Sequence, residues 1–258
     1  MKTKILCVLT LLFGVLFILY TRTSFFDSKE IITGAPPYDA GPGNVSPNED
    51  FSWLQNWTRP EGPAKVALQV GHWKNDEVPD ELHKLRGNTG ATGGGKSEWE
   101  VNHTIATKTQ AILEQSGIVV EILPATVLPR YWADVFVAVH ADGSLDPYTS
   151  GFKAAAPRRD YTGKASSLAV IIENSYGAST LLTKDPVITR NMTGYYAFSW
   201  WRYEHAVHPM TTSVILETGF LTSAHDREII VDQPELAAEG LAQGIYEYLV
   251  SEGLLSQQ

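Results

Sequence analysis

The sequence predicts an α/β domain with a central, mostly parallel or mixed sheet flanked by helices, set behind an N-terminal apolar anchor and a linker. Three observations predict it. Short apolar runs rich in β-branched residues alternate with segments of helical periodicity. Several of those runs end on a histidine or a glutamate, as happens where a buried strand reaches the rim of a sheet. The chain of 258 residues, 43% hydrophobic, is long enough to bury one sizeable core.

The elements follow in chain order. Lys2 and Lys4 precede an apolar run from Ile5 to Tyr20, and Thr21-Arg22 closes it. The run is short against the ~20 residues of a typical membrane span, long for a signal-peptide core, and no small-x-small cleavage site follows. Residues 1–23 therefore read as an uncleaved membrane anchor in preference to a cleaved signal, with the N-terminus inside and the rest of the chain exported. The single cysteine, Cys7, lies within that run, so no disulfide forms within one chain. Residues 24–63 read as a Pro/Gly-rich linker, with Pro36-Pro37, Gly41-Pro42-Gly43 and Pro60. Trp53 and Trp57 at its end are suited to docking on the domain that follows.

That domain is expected over 64–251, with a tail at 252–258. Lys65–Val70 reads as a strand, followed by a long polar loop to Gly93-Gly94-Gly95. A helix from Glu98 to Ser116 carries Val101, Ile105, Ile112 and Leu113 near helical spacing, and Gly117 stops it. Ile118–Leu123, Ala133–Val139 and Ser213–Glu217 read as further strands, and Leu168–Glu173 as another. Leu236–Leu249 closes the domain as an amphipathic helix. A net charge of −9 with no basic stripe argues against a nucleic-acid partner.

Chemistry gathers at the strand ends. The first strand runs into Gly71-His72, and a later one into Val139-His140-Ala141-Asp142. Two such strands side by side place two imidazoles within reach of one metal ion. Between them Ser97-Glu98-Trp99-Glu100-Val101-Asn102 opens a helix with an acidic pair, and Val214-Ile215-Leu216 leads to Glu217-Thr218-Gly219. Two histidines, one carboxylate ligand and a further carboxylate near an open position are the components of a hydrolytic zinc site.

The order Gly-His after a strand, Glu-x-x-x-Asn opening a helix, His-Ala-Asp after a strand and Glu-Thr-Gly-Phe-Leu is similar to the zinc-dependent N-acetylmuramoyl-L-alanine amidases of the cell-wall hydrolase type, over roughly Lys65 to Val250. The resemblance implies Zn2+ held by His72, Glu98 and His140, with Glu217 acting on the water, and peptidoglycan as the substrate. The implied reaction cleaves the amide between the lactyl group of N-acetylmuramic acid and L-alanine. Glu98 competes with Glu100, and the register to Asn102 favours Glu98, leaving Glu100 to complement the helix dipole. Asn102 either orients a ligand or faces solvent.

The chain departs from the family pattern in two places. Trp73-Lys74 stands where glycines usually follow the first histidine, so Trp73 either walls a groove or crowds the metal. The loop from Lys74 to Gly95 is enlarged and brings His83 as a rival ligand. His205, His208, Arg158 and Arg159 are candidates for substrate contact or for plain loop structure. Two other readings stay open: a zinc peptidase on another exported substrate, and a cell-wall-binding or regulatory module that kept the fold and lost catalysis.

Overall fold

The computed structural model describes residues 52–255. The anchor expected over 1–23 and most of the expected linker lie outside the described residues. Among the described residues no helix is long and apolar enough to cross a membrane.

The sheet has five strands: β1 (Lys65–Val70), β4 (Val119–Leu123), β5 (Val135–Asp142), β6 (Lys153–Ala155) and β7 (Thr212–Phe220), in the order β4-β1-β5-β7-β6. The first four are parallel, while β6 runs antiparallel to β7 at the edge, so the sheet is mixed. A two-stranded ribbon, β2 (Thr92–Gly93) with β3 (Lys96–Ser97), stands apart. β5 and β7 are buried along their whole length. That is why their sequences read as continuous apolar runs, as strands covered on both faces do.

Alternate strand residues serve two cores. Val66, Leu68, Val70, Val137, Val139, Val214 and Leu216 face one layer. That layer comprises α2 (Glu98–Glu114), α3 (Ala165–Thr180) and α6 (Pro234–Ser251), with the short α5 (Ala224–Ile230) beside them. Ala67, Phe136, Ala138 and Ile215 face the other, where Val78, Leu82 and Leu85 of the inserted loop meet Tyr195, Tyr196 and Phe198. The enlarged loop after β1 is therefore core-forming on that side. The small helices α1 (Ser52–Gln55) and α4 (Arg190–Thr193) complete the set.

Leu168–Glu173 is not a strand: it lies inside α3. The run Leu168-Ala169-Val170-Ile171-Ile172 is too short for periodicity to separate strand from helix. The buried positions Leu168, Ala169, Ile172 and Tyr176 fall on one helical face, whereas Val170 is exposed.

The described residues ahead of β1 are pinned to the strand-start end of the sheet. Arg59 reaches Asp134 with both Nε–Oδ1 at 2.6 Å and Nη2–Oδ2 at 2.8 Å. The ring of Trp57 lies 5.9 Å from that of Trp132 and 5.4 Å from that of His208. The opposite end of the sheet, where β1, β5 and β7 finish, is where ligands bind in open α/β sheets.

Candidate metal centre

Each expected residue arrives by a different local device. His72 leaves β1 in the left-handed conformation, φ 63°, which turns its ring back over the end of the strand. Gly71 makes room: a Cβ there would lie 2.4 Å from His140 Cε1. The His72 Nδ1–H donates to the carbonyl of Asn88 at 2.9 Å, and the Asn75 amide donates to the same oxygen. The loop insertion thus holds the first imidazole.

Glu98 is the first residue of α2 and is fully buried. Glu100 is engaged elsewhere, accepting from Ser97 N–H at 2.9 Å and Ser97 Oγ at 2.7 Å as a helix cap. Glu98 Oε2 accepts from Ala91 N–H at 2.7 Å, and Oε1 accepts from Ala141 N–H at 3.2 Å. Asn102 is buried and donates to Oε1 at 3.4 Å, so it orients the carboxylate and does not face solvent. Gly90 supplies the remaining space, since a Cβ there would lie 2.2 Å from Glu98 Oε2.

His140 lies on β5, where the register with β7 shifts between His140 and Asp142. Its Nδ1 is 2.9 Å from Glu98 Oε1, and His72 Nε2 is 3.4 Å from the same oxygen. The ligand atoms of His72, Glu98 and His140 all lie within 4.8 Å of one another, and all three residues are buried. On the far side of the His140 ring, Nε2 is 3.3 Å from Tyr195 Oη.

Burial pushes the Glu98 carboxyl up, yet His72, His140 and the Ala91 N–H together outweigh it and hold it below the ordinary carboxylate value. Burial keeps His140 below the usual imidazole value despite Glu98 beside it. With its Nδ1–H committed to Asn88, His72 presents Nε2 to Glu98 Oε1. Electron-rich atoms converging in a buried pocket is an arrangement that a cation resolves, and two histidines with one carboxylate suit zinc.

Glu217 is the register partner of His140 on β7 and is buried. Neither of its carboxylate oxygens has a hydrogen-bond partner among the described residues. Burial, then the nearby Asp142 and Glu98 carboxylates, push it well above the ordinary carboxylate value. Lys153, its register partner on β6, holds Asp142 and Asp185 at 2.7 Å each.

Other sequence candidates lie elsewhere. His83 is bonded to the carbonyl of Asp80 and is not one of the grouped ligands. His205 binds Glu81 at 2.7 Å. His208 packs between Trp53 and Trp57. Trp73 lies against His103 of α2, ring centroids 4.9 Å apart. Arg159 stacks over Trp201 at 4.7 Å. The sequence pattern did not single out Gln69, Asn75, Asn88, Lys153 or Tyr195. A polar Gln69 inside an otherwise apolar strand is the one signal that marks the surroundings of the site in advance.

A family model described as N-acetylmuramoyl-L-alanine amidase matches residues 66–247. No curated protein matches the chain. The fold is that of solved amidases. An N-acetylmuramoyl-L-alanine amidase from Clostridium difficile 630 aligns with TM-score 0.55 and 18% identity over 75% of this chain and 100% of its own. The catalytic domain of CwlV, from Bacillus (Paenibacillus) polymyxa, aligns with TM-score 0.50 and 21% identity over 72% of this chain and 98% of its own. The N-acetylmuramyl-L-alanine amidase of Mycobacterium smegmatis aligns with TM-score 0.51 and 19% identity, covering 73% and 97%.

Proposed function

Because this chain belongs to the N-acetylmuramoyl-L-alanine amidase family, we propose that it uses one zinc ion to hydrolyse the amide between the lactyl group of N-acetylmuramic acid and the L-alanine of peptidoglycan stem peptides. The observation that carries the reading is the convergence of the His72, Glu98 and His140 ligand atoms beside the unpartnered carboxylate of Glu217.

His72, Glu98 and His140 would hold the metal. A zinc ion bound there supplies a Lewis acid for the amide carbonyl and acidifies a water molecule. The protein's own part is proton movement. Glu217 takes a proton from the attacking water as that oxygen bonds to the amide carbon, then delivers it to the alanine nitrogen as the C–N bond breaks. A carboxyl held above its ordinary value by burial is a stronger base when ionised and a ready acid once protonated. Asn102, Ala91 and Ala141 hold Glu98, and Asn88 holds His72, so the ligands are set before metal arrives.

Action on the cell wall places the protein outside the cytoplasm. The apolar run from Ile5 to Tyr20, flanked by Lys2, Lys4 and Arg22, is the segment we assign as the membrane anchor, with 24–63 as linker and 64–251 as catalytic domain.

The test is digestion of intact peptidoglycan by the zinc-loaded chain with products identified by mass spectrometry. Free stem peptides with a new L-alanine N-terminus are expected. Cleavage at another bond, or none by metal-loaded protein, would refute the assigned reaction.

A further inference from the structure

The second imidazole of the site is held from behind by a buried chain of side chains. Tyr195 is buried in the core on the face of the sheet opposite α2, α3 and α6. Its Oη is 3.3 Å from His140 Nε2 and donates its proton to Gln69 Oε1 at 2.9 Å. The Gln69 amide cannot be turned around. Its Nε2 lies 2.8 Å from the carbonyl of Ala125, which only accepts, and 2.7 Å from Tyr196 Oη. Tyr196 Oη in turn donates to Ala125 O.

A phenol has one proton to give. With that proton committed to Gln69, Tyr195 presents only lone pairs to His140, which favours the hydrogen on Nε2. In the neutral ring Nδ1 is then the unprotonated nitrogen, and Nδ1 is the atom that faces Glu98 Oε1 at 2.9 Å.

From this geometry we infer that Tyr195 is a positioning residue, aligned by Gln69, which holds His140 in the tautomer whose Nδ1 lone pair points into the pocket shared with His72 and Glu98. The inference rests on the zinc reading of the site and adds to it the side chains that make His140 ready for metal. It parallels the way Asn88 fixes the other ring, with a phenol in place of a backbone carbonyl. Outer partners of this kind typically change metal affinity by about 10–100-fold when removed.

The test uses the full chain, labelled with 15N-histidine and stripped of metal. Long-range proton–nitrogen NMR spectra report which nitrogen of each ring is protonated, and a His140→Ala spectrum assigns the signal. The wild-type ring is expected in the Nε2–H form. In Tyr195→Phe the ring loses its acceptor and is expected to shift toward the Nδ1–H form, which can donate to Glu98. Zinc affinity, read by chelator competition, is expected to fall about 10–100-fold. Gln69→Leu leaves Tyr195 in place but frees its proton to point at Nε2, so it is expected to shift the tautomer the same way. A role in packing alone predicts no change in Gln69→Leu.

An Nδ1–H ring in the wild-type protein, or wild-type zinc affinity in a folded Tyr195→Phe, would overturn the inference. The wild-type spectrum does not depend on the folding of Tyr195→Phe or Gln69→Leu. A wild-type chain with the Nε2–H ring that binds no zinc would contradict the zinc reading instead, with the tautomer assignment upheld.

Discussion

Glu217 and His140 stand opposite each other as register partners on adjacent parallel strands, and the fold treats them in opposite ways. The His140 ring is met on both nitrogens, by Glu98 Oε1 at 2.9 Å and Tyr195 Oη at 3.3 Å. The Glu217 carboxylate, equally buried, has no hydrogen-bond partner among the described residues. One group is held still and the other is left available, which is the division expected between a ligand and a proton carrier.

Replacing Glu217 by Gln keeps the shape and removes the proposed base. Turnover should fall by about 10²–10⁴-fold, with zinc binding retained. Steady-state kinetics on a soluble stem-peptide substrate, with metal content measured on the same sample, checks both halves.

The same substitution should stabilise the metal-free protein. The folded Glu217 carboxyl lies well above its ordinary value. Its contribution to stability is therefore fully present below the unfolded pKa and is lost as pH rises toward the folded one. Denaturant melts of metal-free Glu217→Gln and wild type should diverge in that direction above the ordinary carboxylate range and converge below it. Equal midpoints at neutral pH would mean that the carboxylate is solvated or paired.

Gly90→Ala is expected to damage the site more than the fold. The new Cβ would fall 2.2 Å from Glu98 Oε2 and 2.7 Å from His72 Cδ2, and φ of 71° is already unfavourable for alanine. Zinc affinity should drop at least tenfold, by analogy with loss of an outer partner at about 10–100-fold. Isothermal titration of the variant measures it, with circular dichroism as the control for folding.

Lys153 is a structural cation beside Glu217, its register partner. It is buried between Asp142 and Asp185, and their pull outweighs burial to raise its pKa. Lys153→Met leaves two carboxylates without their cation and should cost about 3–5 kcal/mol. A triple variant that also carries Asp142→Asn and Asp185→Asn should recover most of that loss in the same denaturant assay.

Much of the site is legible in the sequence because strand ends announce themselves. Val139-His140 and Leu216-Glu217 put polar groups at the close of apolar runs, and burial on both faces makes such runs conspicuous. Glu98 separates from Glu100 by its register to Asn102, and the structure shows Glu100 spent on the helix cap. The surroundings are illegible for a physical reason. Asn88 acts through a backbone carbonyl, which no side-chain pattern records, and Tyr195 reaches His140 across a long sequence separation. The strand expected at Leu168–Glu173 shows the matching limit: an isolated apolar run takes its form from what packs on it, here β6 and α6 around α3. Trp73, a departure from the glycines usual after the first histidine, packs edge-on against His103 of α2 and against the helix-side core.

Zinc binding at His72, Glu98 and His140 can be measured directly. One zinc per chain should be found by titration and metal analysis, and a zinc-edge anomalous map should place it between His72 Nε2, His140 Nδ1 and Glu98. Single alanine replacements of His72, Glu98 or His140 should each abolish the bound ion. Zinc bound elsewhere on the chain, or bound undiminished in those variants, would contradict the account.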